Sequence, residues 1–404
     1  MSRPPIRLRS RGFSLVELLV AVTIGLVVTL AVFGVLAASE GRKRTSVALN
    51  DTNQSGAYAA YTVDRIVRSA GTGYAQGWPK IGSCRISAAL TPAGETLPRT
   101  AAFPAPFTAV PQTVRLAPVV IFAGASDTGS DVLMTMSGTA GFGEAPAAVL
   151  PGAITATQVL LANTIGLRAN DLVLLAGGGE CLLSQVASTK ALCAGDPTSP
   201  SPTTTCGQQL PLAGSYYTAT GAHTSLTALA GMTNVNAFSI GNTTTNQPHF
   251  ELLGVGANST LFRHDLLLLN GVSTTSEPVA EGVRELHAVY GLDTNDDGML
   301  DTWQSPTATG WTGAALMDGS SQSSTRLRQI VALRVALVMR SALIERELAA
   351  SVPVAPASMP LFGDLPTAVQ TSVDLTRTGE NRNQRHRVIE LTIPIRNLLM
   401  RTTS

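Results

Sequence analysis

Leu18 to Ala38 is a run of 21 residues without one charged side chain. Wound as an α-helix at about 1.5 Å per residue, it is roughly 30 Å long, the thickness of one bilayer core. A helix that is apolar on every side must be covered by protein or by lipid, so this run constrains the fold more than anything else in the chain. Both flanks are basic. Arg3, Arg7, Arg9 and Arg11 precede it, with no acid among the first twelve residues, and Arg42, Lys43 and Arg44 follow it. The first group favours a cytoplasmic N-terminus, with the bulk of the chain on the far side. The second group opposes that orientation. The remainder is rich in Ser, Thr and Asn and reads as exported, so the first group is taken to prevail.

Three readings compete for the segment. A secretory signal peptide ending near Ala37-Ala38 has small residues at the right place, but its apolar region is normally about 7–15 residues. An inert anchor explains the length. Neither explains Glu17, because a carboxylate beside a membrane-length apolar run costs a few kcal/mol unless it stays at the interface or finds a partner. The third reading gives Glu17 a task.

Of the 404 residues, 44% are apolar and 14% charged, which excludes a mainly disordered chain. A net charge of +1 argues against a nucleic-acid binder working through a basic face. The length provides for a large core.

The octapeptide Arg11-Gly12-Phe13-Ser14-Leu15-Val16-Glu17-Leu18 resembles the processing site of type IV prepilins and pseudopilins. The resemblance implies cleavage after Gly12, N-methylation of Phe13 as the new terminus, and a role for Glu17 in assembly. It also implies partners: a prepilin peptidase and methyltransferase, an inner-membrane assembly platform, and other pilins joined through the helix. Physically, the amine of Phe13 on a neighbouring subunit would pair with Glu17, and low dielectric strengthens such a pair once both charges are satisfied.

Beyond the membrane the helix is expected to continue. No Pro occurs between Ser39 and Ala70, and Leu49, Ala59, Val63, Ile66, Val67 and Ala70 fall near helical spacing. Gly71 and Gly73 offer a stop. Gly25, Gly34, Gly41 and Gly56 each weaken the helix by up to about 1 kcal/mol. After residue 78 short apolar runs alternate with Gly, Pro, Ser and Thr. Val119–Ala123, Val132–Met136, Val159–Leu161 and Leu172–Ala176 read as strands, with Leu266–Leu269 as a further one. The clearest alternation is late. Leu333, Val335, Leu337 and Met339 share one face, as do Ile389, Leu391, Ile393 and Ile395. Pro394 places the last strand at an edge or ends its pairing. Gly177–Gly179 reads as a turn. Asp196–Thr205 and Thr218–Pro248 read as loops. The expectation is an α+β fold, with an antiparallel sheet packed on a long helix.

Ile66–Tyr74 (IVRSAGTGY), Cys181 with Gln185-Val186, the segment from Tyr290 through Asp301, the strand Ile330–Ser341 and the ending Arg385–Asn397 (RHRVIELTIPIRN) are similar to PilW-type minor pilins. That resemblance implies four regions: a leader 1–12, a transmembrane helix 13–38, an amphipathic periplasmic helix 39–72 and a β-rich periplasmic domain 73–404. It further implies a single-pass inner-membrane protein that passes into the pilus, works at the filament tip beside other minor pilins, the major pilin and a tip adhesin, and is not an enzyme. The alternatives are a J-type minor pseudopilin of type II secretion, a calcium-dependent anchored adhesin, and an exported enzyme. The last lacks any G-x-S-x-G, Walker A or dinucleotide fingerprint.

Two further constellations carry chemistry. Asp293, Asn295, Asp297, Met299 (through its carbonyl) and Asp301 have the D-x-N-x-D-G spacing of a calcium loop, and Gly298 permits the turn. The twelfth position is Gln304 rather than Glu, which points to weak binding. The bland alternative is an Asp-Gly turn between strands. Cys84, Cys181, Cys193 and Cys206 form an even set for an oxidising compartment, open to three pairings, with one bridge expected within 181–206. Arg377, Arg382, Arg385 and Arg387 read as a solvated face with an acidic partner as the alternative, and the five His residues suggest no metal site.

Overall fold

The computed structural model describes residues 14–139, 146–189, 208–269, 275–345, 352–377 and 380–395. Gly12, Phe13, Cys193, Cys206 and the Asp196–Thr205 tract lie outside the described residues. The chain divides into two compact units, Met1–Asp51 and Thr52–Ser404.

A single helix, Leu15–Ser69, runs for 55 residues. Residues 14–37 are exposed without exception, and the helix is long and apolar enough to cross a membrane. Within the second unit the same helix changes character. Gly56, Ala59, Ala60, Val63, Ile66, Val67 and Ala70 are buried, at the i, i+3, i+4, i+7 spacing of one apolar face. Covering Val63, Ile66 and Val67 contributes roughly 1.5–3 kcal/mol each. The helix stops where the glycines stand. Gly71 and Gly73 adopt φ of +79° and +84°, the left-handed region that glycine enters freely. A Cβ on Gly73 would also lie 3.1 Å from the Gly138 backbone.

The remainder of the second unit is three sheets and a hairpin, with short helices between their strands. The first sheet has eight strands, in the order Gly94–Leu97, Arg85–Leu90, Glu180–Gln185, Asp171–Gly177, Asn236–Asn242, Ala147–Ile154, Gln158–Leu161 and Gln209–Pro211. Gly178 and Gly179, with φ of +60° and +80°, join two of these strands as a two-residue loop, the conformation that the right-handed twist of a hairpin favours. The second sheet has five strands, in the order Glu277–Glu281, Thr260–Asp265, His249–Gly256, Val132–Ser137 and Val119–Phe122. The third has four, in the order Thr302–Gln304, Val283–Leu292, Ile330–Ile344 and Gln384–Pro394. Ser358–Leu361 pairs with Thr371–Asp374 as a separate hairpin. The fold is α+β, a long helix with a β-rich, mainly antiparallel domain.

Three expectations need correction. Arg85–Leu90 pairs with Glu180–Gln185 in parallel, so the sheets are not wholly antiparallel. Parallel neighbours need a long crossover, and residues 91–179 supply it. Leu266–Leu269 is not a strand. The Asp265 carboxylate accepts from the N–H groups of Leu267 and Leu269 at 2.9 and 2.7 Å and bends the chain there. Thr218–Pro248 is not a loop throughout. It holds the helix Leu226–Ala230, capped by Ser225, and the strand Asn236–Asn242 inside the largest sheet. That strand is buried along nearly its whole length, so it lacks the alternation of a half-exposed strand.

The late strands behave as their alternation predicts, with an addition. Leu333, Val335, Leu337 and Met339 enter the main core shared with the helix. The opposite face is covered too. Ala336 and Val338 pack with Val289, Leu361, Phe362 and Val373 under the hairpin. Pro394 ends the outermost strand of its sheet, where a missing N–H is tolerated.

Candidate functional site

The candidate site is the N-terminal helix and the elements that hold it. Its first turn is closed by two residues. The Ser14 N–H donates to Glu17 Oε2 at 3.0 Å, and the Glu17 N–H donates to Ser14 Oγ at 3.2 Å. This capping box satisfies two of the donors that a helix start leaves unpaired. Further along, the Thr23 hydroxyl donates to the Val20 carbonyl at 2.9 Å, and the Thr29 hydroxyl to the Gly25 carbonyl. Both polar groups of the apolar stretch are thereby satisfied inside the helix, as lipid surroundings require.

In the second unit the helix is seated on the last strand. A Cβ on Gly56 would stand 2.6 Å from Ile389 Cδ1 and 3.3 Å from Met339 Cγ, so glycine is what lets the helix approach the sheet. Beside it Arg387 donates to Asn53 Oδ1, and the Ser55 hydroxyl donates to the Glu281 carbonyl. At the helix end the Gly71 N–H donates to the Met136 carbonyl at 2.9 Å, and the Tyr74 hydroxyl to the same carbonyl at 2.8 Å. Burial pushes the Tyr74 hydroxyl's pKa well up, so it stays a neutral donor. Cys84 is bonded to Cys181, which pins the parallel strands where they begin.

The Asp293–Asp301 loop is closed by its own side chains. Asp293 is buried, and its carboxylate accepts from the N–H groups of Asp296, Asp297 and Gly298. Asn295 Nδ2 donates to Asp297 Oδ2 at 3.0 Å, and the Met299 N–H to Asp297 Oδ1 at 2.8 Å. The Thr294 N–H and hydroxyl both donate to Asp301 Oδ2, which holds that carboxyl below its usual range. Among the described residues no three His, Cys, Asp or Glu side chains converge as a metal site. Asp293, Asn295 and Asp297 do share one loop, and their oxygens keep further lone pairs.

One buried cluster escaped the sequence. His287 lies between Glu285, at 2.8 Å, and Asp131, at 3.6 Å. Burial by itself would lower the His287 pKa, but hydrogen bonds to Asp131 and Glu285 outweigh it and push it up to about 9. Arg377 also pairs with Glu285, and Glu380 takes both Arg284 and Arg340. Asp131 reaches further, accepting from the N–H groups of Gly124 and Ala288. The cluster therefore ties the second sheet to the third. The four arginines flagged in the sequence do not form a free cationic face. Arg377 meets Glu285, Arg385 meets Glu345, Arg382 donates to the Ala355 carbonyl and Arg387 to Asn53.

The ends of the chain match two known families. Residues 237–397 match the family of the type IV pilus-assembly protein W, and residues 7–33 match the prokaryotic N-terminal methylation motif. A methylation motif opening a membrane-length helix, with a β-rich domain behind it, defines a type IV pilin. The match over residues 237–397 points to the branch: that stretch is similar to the PilW family, and the two matches together support a PilW-family type IV pilin. No curated protein and no solved structure matches it. Residues 34–236 fall outside both family matches.

Proposed function

We propose that the chain is a structural minor pilin that takes part in priming a type IV pilus and sits at the filament tip. The observation that carries this reading is the pairing of the methylation motif with a helix whose first 24 described residues leave every side chain uncovered. Such a surface is stable only in lipid or against other helices. The leader directs insertion and is cut between Gly12 and Phe13, leaving the domain on the periplasmic side of the inner membrane. Glu17 then receives the amine of a neighbouring subunit's Phe13, and helices of the major and minor pilins pack side by side. The bulk of the 52–404 unit suits a cap better than a repeated shaft position. The family matches point to a structural role rather than catalysis.

The test is to shear pili from the native host and identify this chain and its N-terminal peptide by mass spectrometry. N-methylated Phe13 in the pilus fraction supports the reading. Processed chain confined to the inner membrane favours the J-type pseudopilin, and a chain retaining Met1–Gly12 overturns processing.

We also propose that the Asp293–Asp301 loop takes Ca2+ weakly. What supports it is the D-x-N-x-D-G spacing and the shared loop of Asp293, Asn295 and Asp297. The ion would share oxygens already bonded to backbone N–H groups, which points to millimolar affinity, as in extracellular modules.

A further inference from the structure

We propose that Arg42, Lys43 and Arg44 form a collar that binds the phosphate groups of anionic phospholipids in the leaflet facing the β-rich domain. The inference rests on the membrane-spanning reading of the helix. Leu18–Ala38 fills the hydrocarbon core. Ser39, Glu40 and Gly41 then carry the same helix about 5 Å further. The polar layer of each leaflet adds about 5–7 Å to the core, so the three cations start at the depth of the lipid phosphates.

Geometry and charge agree with that depth. Three consecutive helical residues cover roughly 200° of the circumference, so headgroups can approach from most directions. All three side chains are exposed. Among the described residues, every ion pair lies from Asp64 onward, so none engages these cations. Glu40, four residues before Arg44, is exposed and makes no ion pair with it. Arg284, Arg334, Arg340, Arg377 and Arg385, in the β-rich unit, by contrast all have carboxylate partners. Cations on an exposed helix at phosphate depth are attracted to anionic lipid, an effect that salt weakens.

The test uses the full chain, produced with its peptidase, in micelles holding equal phosphatidylglycerol and phosphatidylcholine, with bound lipids counted by native mass spectrometry. The expected result is a preference for phosphatidylglycerol of about fivefold for each cation engaged. It is lost in an Arg42→Gln, Lys43→Gln, Arg44→Gln variant and kept in an Arg42→Lys, Arg44→Lys variant. Equal retention of both lipids by the wild type, or an unchanged preference in the Gln variant, overturns the proposal. Displacement of the lipid by millimolar inorganic phosphate also overturns it, because it would mark a site for free phosphate. The same spectra give the mass of the N-terminus. A chain that keeps its leader sinks the processing step while the lipid preference is still read.

Discussion

Ser14 and Glu17 bond each other twice across the first helical turn, backbone to side chain in both directions. The carboxylate proposed above for assembly thus also caps the helix that carries it. Gln can occupy the same capping position but has no charge. Glu17→Gln is therefore expected to be cut after Gly12 and to remain in the membrane, yet to be depleted at least tenfold from sheared pili, as is Glu17→Ala. Ser14→Ala, which removes one cap at a cost of about 1 kcal/mol, should enter pili at near wild-type levels. Quantitative mass spectrometry of membrane and pilus fractions checks all three. Wild-type incorporation of Glu17→Gln would assign the residue to capping alone.

Gly56 and Ile389 set the distance between helix and sheet. Gly56→Ala gains helix propensity of up to about 1 kcal/mol but presses on Ile389 and Met339, so its net effect should be small. Gly56→Leu overpacks the contact and should cost about 1–3 kcal/mol. Thermal unfolding of the full chain in detergent is the measurement. The paired variant Gly56→Leu, Ile389→Ala should recover part of the loss.

Replacing Cys84 and Cys181 by Ala should destabilise the fold by roughly 2–5 kcal/mol, because the bond spans 97 residues of sequence. Non-reducing peptide mapping should recover a Cys84–Cys181 peptide pair.

His287 gives stability a pH dependence. Its folded pKa, about 9, lies above the usual value near 6.5, so protonation favours the native state. Its contribution is fully present below about pH 6.5 and is lost as pH rises through about 9. By the usual conversion the difference is of order 3 kcal/mol. Unfolding free energy measured from pH 6 to pH 10 should fall for the wild type. It should start lower and stay flatter for His287→Gln.

Calcium at about 5 mM should raise the unfolding temperature by a few degrees if the loop binds at millimolar strength. Asp297→Ala should abolish the rise, while magnesium should give little of it. An identical response of wild type and variant removes the calcium proposal.

Much of the fold is legible in the sequence, and the reason differs by segment. Leu18–Ala38 declares itself by length and lack of charge, and the late strands by their period of two, since one residue in two faces the helix. Ser14 to Glu17 also has the S-x-x-E spacing that opens helices, a signal present but outweighed by the processing motif. Asn236–Asn242 is hidden because burial on both faces erases alternation. The place of Gly56 is hidden because its meaning depends on Ile389, more than 300 residues away. His287 is hidden for the same reason. Glu285 is close in sequence, but Asp131, from another sheet, is not.

The seat of the helix on the final strand has a consequence in time. Synthesis runs from the N-terminus at about 5–20 residues per second, so the 52–69 face exists for roughly 15–70 seconds before Ile389 is made. For that interval Val63, Ile66 and Val67 lack part of the surface that will cover them. A chain broken off before residue 384 never acquires its last strand, and its helix stays open on that side. Closure of the unit thus waits on the contact between its N-terminal helix and the strand Gln384–Pro394, which synthesis delivers more than 300 residues later.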